Sequence, residues 1–138
     1  GKAMTTETGL KIIDTTVEHS LRISSPLTAF PIWQMGGAVA RVGESETAFN
    51  GRNAGFTYNI GASTATAEGF DEEREWVRNF WSALEPNFTS VYVNFLTQDE
   101  GDRVRDAYGE NYERLVALKN KYDPKNVFGM NQNISPSV

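Results

Sequence analysis

Two periods of apolar residues alternate along this chain, and the changes of period mark out its elements. From Thr6 to Arg22, Leu10, Ile13, Val17 and Leu21 recur at steps of three and four, the signature of a helix with one apolar stripe. Gly9 and the Thr15, Thr16 pair weaken that helix, and Ser24 to Leu27 ends it. Thr28 to Trp33 reads as extended, with Pro31 implying an edge or irregular strand. After Gly36 and Gly37 the period becomes two: Ala38 to Val42 predicts a strand with Val39 and Arg41 on one face. Gly43 to Thr47 is a turn, and Ala54 to Gly61 predicts another strand with Phe56, Tyr58 and Ile60 on a shared face.

Asp71 to Leu84 returns to the helical period. Its acids crowd the first turn, where the helix dipole favours negative charge, and Val77, Phe80, Trp81 and Leu84 form the expected packing face, with Pro86 closing the segment. Trp76 and Trp81 at helical spacing read as core rather than as a stacking platform. Ser90 to Leu96 predicts a strand and Asp99 to Asp102 a polar turn. From Asp102 to Tyr122 a helical stripe runs through Val104, Tyr108, Tyr112, Leu115, Leu118 and Tyr122. Gly109 lies inside that stripe, so the segment is expected to break into a short helix and a longer one starting near Gly109 or Glu110. Pro124 stops it, since proline lacks an amide hydrogen and disfavours helical geometry in the residue before it. The pattern is that of an α+β fold: an antiparallel sheet with helices packed on one face, then C-terminal helices and an extended tail.

Composition narrows the picture. The 138 residues suit a single domain spanning residues 1–138. A net charge of -5 without a basic run gives no electrostatic footprint for nucleic acid or an anionic membrane. There is no cysteine, hence no disulfide, thiolate metal site or cysteine nucleophile. No stretch approaches the roughly 20 apolar residues of a membrane helix, and a soluble, cytoplasmic protein is expected. His19 is the single histidine, so it is expected to be an exposed or edge-packed residue rather than a metal ligand. Arg41, a charge on one face of a predicted strand, is either a solvated surface arginine or a group looking into a ligand cavity. By type alone, Tyr92 reads as a buried strand tyrosine.

Several strings together carry a resemblance. Ala107 to Lys119, Lys121 to Asn126, Phe128, and Asn131 to Ile134 resemble the C-terminal signature of the berberine-bridge-enzyme-like FAD-linked oxidases, and Tyr92-Val-Asn94 stands where that family carries a Tyr-x-Asn strand. Gln34 to Val42, followed by Thr47-Ala-Phe49 and Arg52, is similar to the family's substrate-domain sheet. There are departures: Asn50 and Gly51 stand where the family commonly has Pro-His before the arginine, and Ser63 to Thr66 where many members have a tryptophan.

The resemblance implies a substrate-side, flavin-capping C-terminal domain in which hydride passes from substrate to flavin and dioxygen reoxidises the flavin. It implies Tyr92 as catalytic base and Asn94, Asn131 and Asn133 beside the cofactor, with Arg41 and Tyr58 as weaker candidates on the substrate side. FAD is the implied cofactor, which the chain alone is not expected to retain, because the family's FAD-binding N-terminal domain is absent from this sequence and no glycine-rich loop follows a strand. The implied partners are an FAD-binding domain or chain, or further copies in a homo-oligomer, and a small-molecule substrate. A stand-alone small-molecule binding module and a homo-oligomeric structural domain derived from the family are the alternatives.

Overall fold

The computed structural model describes residues 5–97 and 103–137 and divides the chain into two compact units, one of residues up to Gln34 with Gly55–Phe88, the other of Met35–Ala54 with residues from Thr89 onward. The predicted polar turn at 99–102 lies outside the described residues.

The first unit holds helix α1 (Thr6–Ser20), strands β1 (Ile32–Gln34) and β2 (Phe56–Tyr58), helix α2 (Phe70–Leu84) and a 3-10 turn at Glu85–Asn87. α1 opens on Thr5, whose hydroxyl accepts from the Thr8 amide at 3.1 Å and meets one of the donors a helix start leaves orphaned. β1 and β2 pair antiparallel, Trp33 opposite Thr57. The core is Trp76, Phe80 and Leu84 of α2, all buried, with Ile12, Ile23, Phe30, Tyr58, Ile60, Val77 and Phe88 packed on it. The α+β class with an antiparallel sheet is thus observed, the sheet being two-stranded.

α1 departs from expectation in an instructive way. Its predicted stripe faces outward: Leu10, Ile13, Val17 and Leu21 are 52% to 81% exposed, while Ile12 and His19 turn to the core. His19 is not at the edge. It is buried, stacks on Phe80 at 5.0 Å between ring centroids, donates from Nδ1 to the Thr15 carbonyl at 2.9 Å, and its own carbonyl accepts from Trp76 Nε1 at 2.8 Å. The tryptophan and histidine lock α1 to α2 through groups that satisfy each other, and that pairing outranks the aliphatic stripe.

Glu73, on the same face of α2 as Trp76 and Phe80, is also buried. Its carboxylate accepts from the amides of Ser24 and Ser25 at 3.1 and 2.8 Å and from the hydroxyls of Ser24 and Thr28 at 2.7 and 2.5 Å, fixing the loop between α1 and β1.

In the second unit, helix α3 (Val104–Tyr108) is followed by a 3-10 turn at Gly109–Asn111 and helix α4 (Tyr112–Tyr122). The predicted break falls at Gly109, whose φ of 52° and ψ of −129° suit glycine, and where a Cβ would meet Asn50 Nδ2 at 2.7 Å. The core is Leu96, Val104 and Ala107, with Val91, Val93, Tyr108, Tyr112 and Ile134 around it. Tyr122 and Leu118, expected on the packing stripe, are 72% and 43% exposed.

Two predicted strands are not strands. Ala38–Val42 lies in turns: Gly36 and Gly37 take positive φ, the Val39 amide closes onto the Gly36 carbonyl at 3.1 Å, and Arg52 Nη1 takes the Val39 carbonyl at 3.2 Å. At Val93–Phe95 the chain forms a 3-10 turn, with the Phe95 amide donating to the Tyr92 carbonyl at 2.9 Å and Leu96 drawn into the core beside α3. Alternation without a neighbouring strand does not hold a chain extended, since its amides must then find other acceptors.

Candidate functional site

The second unit carries most of the sequence-predicted site residues. Tyr92 stands just before the Val93–Phe95 turn, 37% exposed, and its phenol oxygen accepts from Asn94 Nδ2 at 2.7 Å. The pair was expected to share a strand face; the 3-10 turn brings the two side chains together instead. Phe95 meets the Tyr92 ring edge-on at 4.9 Å between centroids, and Phe49 approaches at 5.8 Å with the planes at 64°. Together Ala48, Phe49, Asn50, Val91, Tyr92, Val93, Ala107 and Tyr108 line a cleft of about 160 Å³.

Phe49 comes from the loop that the sequence placed at a turn and in the Thr47-Ala-Phe49 string of the family resemblance, without giving the ring a role. The Glu44 carboxylate accepts from the Gly51 and Asn53 amides, each at 3.0 Å, and the Glu44 carbonyl accepts from Asn111 Nδ2 at 2.8 Å. Asn50 Nδ2 donates to the Asp106 carbonyl at 3.2 Å, and the Arg52 guanidinium lies 5.0 Å from the centre of the Phe49 ring. Asn50 and Gly51, the departure from the family's Pro-His, are therefore built into the loop's support. The signal available was the density of Glu, Asn and Gly between residues 43 and 53, a composition that hydrogen-bonds its own backbone.

Asn131 is exposed, with φ of 56° that asparagine tolerates, and its carbonyl accepts from the Asn133 amide at 2.9 Å. Asn133 lines a second, shallower cleft of about 270 Å³ with Leu115, Lys119, Phe128, Met130, Gln132 and Ile134. Its Oδ1 is buried with no donor among the described residues, a condition that costs about 1–3 kcal/mol until something donates to it.

That tail is held by a clamp the sequence reading also missed. Lys119 and Asp123, at 12% and 11% side-chain exposure, pair at 2.5 Å. The Asp123 carboxylate accepts from the amides of Val127 and Phe128 at 2.8 and 3.1 Å, and Lys119 Nζ donates to the Phe128 carbonyl at 2.8 Å. The Lys119 hydrogen bond, with those two amides, holds the Asp123 carboxyl below the usual carboxylate range against the opposing push of burial.

The two substrate-side candidates stand apart in the chain's organisation. Arg41 is exposed, in the turn after Gly37 in the second unit. Tyr58 belongs to the first unit, half-buried on β2 against the α2 core and 6.4 Å from Phe88 between ring centroids.

Comparison with known proteins gives this geometry a context. Residues 91–135 match the family described as "Berberine and berberine like". The FAD-linked oxidoreductase YvdP of Bacillus subtilis is 36% identical over 102 residues, 74% of this chain and 23% of that protein. Monolignol oxidoreductase AtBBE-like 13 of Arabidopsis thaliana is 34% identical over 134 residues, covering 85% of this chain and 24% of the relative. Among solved structures, a variant of BBE-like 1 from Physcomitrella patens superposes with a TM-score of 0.76 at 24% identity, covering 92% of this chain and 27% of that one. The chain thus spans about a quarter of the length of these relatives.

Proposed function

The chain belongs to the berberine-bridge-enzyme-like family of FAD-linked oxidoreductases, and from that premise we propose that its 138 residues form a single C-terminal, substrate-side domain that caps the flavin of an oxidase whose FAD-binding part is a separate polypeptide region. The observation that carries this reading is the phenol of Tyr92, part-exposed at a cleft and bound by Asn94.

The residues present fit contact with the reacting edge of a flavin, and they do not make a complete flavin site. Tyr92, Asn94 and the undonated Asn133 oxygen are suitable polar contacts. Yet the cleft beside Tyr92, at about 160 Å³, is smaller than the roughly 300–1,000 Å³ of sites that enclose a drug-sized molecule. FAD, when bound between this domain and the rest of the enzyme, supplies the hydride acceptor, with dioxygen as the proposed final oxidant. This chain's part is acid–base chemistry and positioning. As the phenolate, Tyr92 Oη takes the proton of the substrate hydroxyl or amine whose carbon gives up the hydride, and the Asn94 amide, donating to that oxygen, stabilises the phenolate form that the step requires. Asn94 spends one N–H on Tyr92, leaving its second N–H and carbonyl for the flavin's polar edge. Asn131 and Asn133 reach the same cofactor from the tail, and Arg41 and Tyr58 act on the substrate side.

The partner reading rests on exposed apolar side chains. Besides the outward stripe of α1, the tail presents Val127, Phe128 and Met130 at 72%, 80% and 83% exposure, although the Lys119 clamp holds the backbone of Phe128 in place. Ordered but uncovered apolar residues suit surfaces that another polypeptide covers. An absorbance titration with FAD tests the division of labour. The purified chain alone should stay colourless and leave the flavin spectrum unchanged, whereas adding the FAD-binding part should give a complex that co-elutes with flavin. A yellow preparation of this chain alone would overturn the claim that it depends on the other part for its cofactor.

A further inference from the structure

We propose that Phe49 is the positioning residue for Tyr92, and that the loop from Gly43 to Asn53 is a brace that holds this ring against the tyrosine. The proposal rests on the reading of Tyr92 as the base and extends it to a part of the chain with no acid–base group of its own at the cleft.

Tyr92 leaves the backbone at the edge of a short 3-10 turn, a form with poor hydrogen-bond geometry, and its contacts with Asn94 and Phe95 come from that same turn. Contacts within one turn move with the turn. The Phe49 ring, tilted 64° to the tyrosine, comes from a separate segment and opposes rotation of the phenol about its side-chain bonds. A base works only when held within hydrogen-bond reach of its proton, so a fixed ring matters more here than an added polar group.

The brace is itself secured on three sides. Glu44 closes the loop by accepting from the Gly51 and Asn53 amides, while its carbonyl is tied to the buried Asn111. Asn50 is tied to the carbonyl of Asp106 on α3. Arg52, bound to the Val39 carbonyl and the Thr47 hydroxyl, lies over the Phe49 ring at 5.0 Å from its centre. At Gly51, φ is +85° and a Cβ would lie 2.3 Å from Ser90 Oγ, so only glycine lets the loop pass this close to the segment that carries Tyr92.

Fluorine NMR of the chain labelled with 3-fluorotyrosine reads the brace directly, without flavin or substrate. The five tyrosines give five resonances, and the one lost in Tyr92→Phe is assigned to Tyr92. Phe49→Leu, which keeps apolar bulk but removes the ring, should shift the Tyr92 resonance toward the free amino acid and leave those of Tyr58, Tyr112 and Tyr122, which do not line the cleft, in place. Phe49→Trp, which restores an aromatic edge, should return it toward its original position. A Tyr92 resonance unmoved by Phe49→Leu would overturn the proposal. So would movement of all five together, which would make Phe49 a general packing residue of its unit. Because the spectrum involves no turnover, the brace can fail while Tyr92 remains the base, and the base can fail in a kinetic test while the brace stands.

Discussion

Glu73 shows at the scale of one residue how this sequence places a charge inside a core. The carboxylate is 2% exposed and accepts four hydrogen bonds from the loop after α1. Burial pushes its pKa up, and the donors from Thr28, Ser24 and Ser25 together outweigh that push, so the folded-state value lies below the ordinary 4.5. A depressed folded pKa means stability that is fully present above 4.5 and is lost as pH falls through the folded value. Glu73→Gln should lower stability at neutral pH by on the order of 3 kcal/mol, since an amide offers one acceptor oxygen in place of two and adds donors with no acceptor waiting. It should also flatten the acid limb of a denaturation series below pH 4.5. An acid limb as steep as the parent's would show that Glu73 is not a source of the pH dependence. The sequence placed Glu73 among the first-turn acids of α2 and gave no sign of its burial, because the Ser and Thr donors lie some 45 to 49 positions away.

At the scale of elements, the distinction between periods that a segment satisfies alone and periods that need a partner accounts for what could be read in advance. α2, the break at Gly109 and the stop at Pro124 were legible because helix propagation, glycine geometry and proline geometry are local. The strands predicted at Ala38–Val42 and Ser90–Leu96 were not, because a ladder requires a neighbour and these segments close hydrogen bonds within turns. α1 was legible as a helix, but its buried side was decided by the His19–Phe80 stack and the Trp76 hydrogen bond, which periodicity does not reveal. The Lys119–Asp123 clamp belongs at this scale as well, since it joins the end of α4 to the tail that carries Asn131 and Asn133. Asp123→Asn removes the charge that Lys119 and the Val127 and Phe128 amides share. Limited proteolysis should then cut between residues 124 and 130 several-fold faster while α4 itself stays protected. Equal cleavage rates in the two proteins would show that the tail is held by something other than this pair.

At the scale of the whole molecule, one group of features has no function within either unit. The outward stripe of α1 and the Val127, Phe128 and Met130 group leave large aliphatic and aromatic surface in water, a condition that favours association. The chain by itself is therefore expected to self-associate in a concentration-dependent way, and Val17→Lys combined with Leu21→Lys should weaken that association without altering the helical circular dichroism. A monomer mass by light scattering across a hundredfold range of concentration would count against covered surfaces in the parent. The same absence of partners limited what the sequence could say about the site. Tyr92, Asn94, Asn131 and Asn133 could be named only through family resemblance, and the structure pairs the first two at 2.7 Å. Phe49 stood in the Thr47-Ala-Phe49 string of that resemblance, but neither its contact with Tyr92 nor the part of Glu44 in holding its loop could be read there, because both are made by the fold.

The central claim is that Tyr92 is the base of a flavin-dependent oxidation completed by another polypeptide region. Its most direct test is the turnover of Tyr92→Phe in the complex of this chain with the FAD-binding part, at equal flavin content and with a substrate the parent complex oxidises. The account predicts a loss of kcat of about 10²- to 10⁴-fold, the usual contribution of a positioned base, with the flavin spectrum of the complex unchanged. A Tyr92→Phe complex that turns over at the parent rate would contradict it.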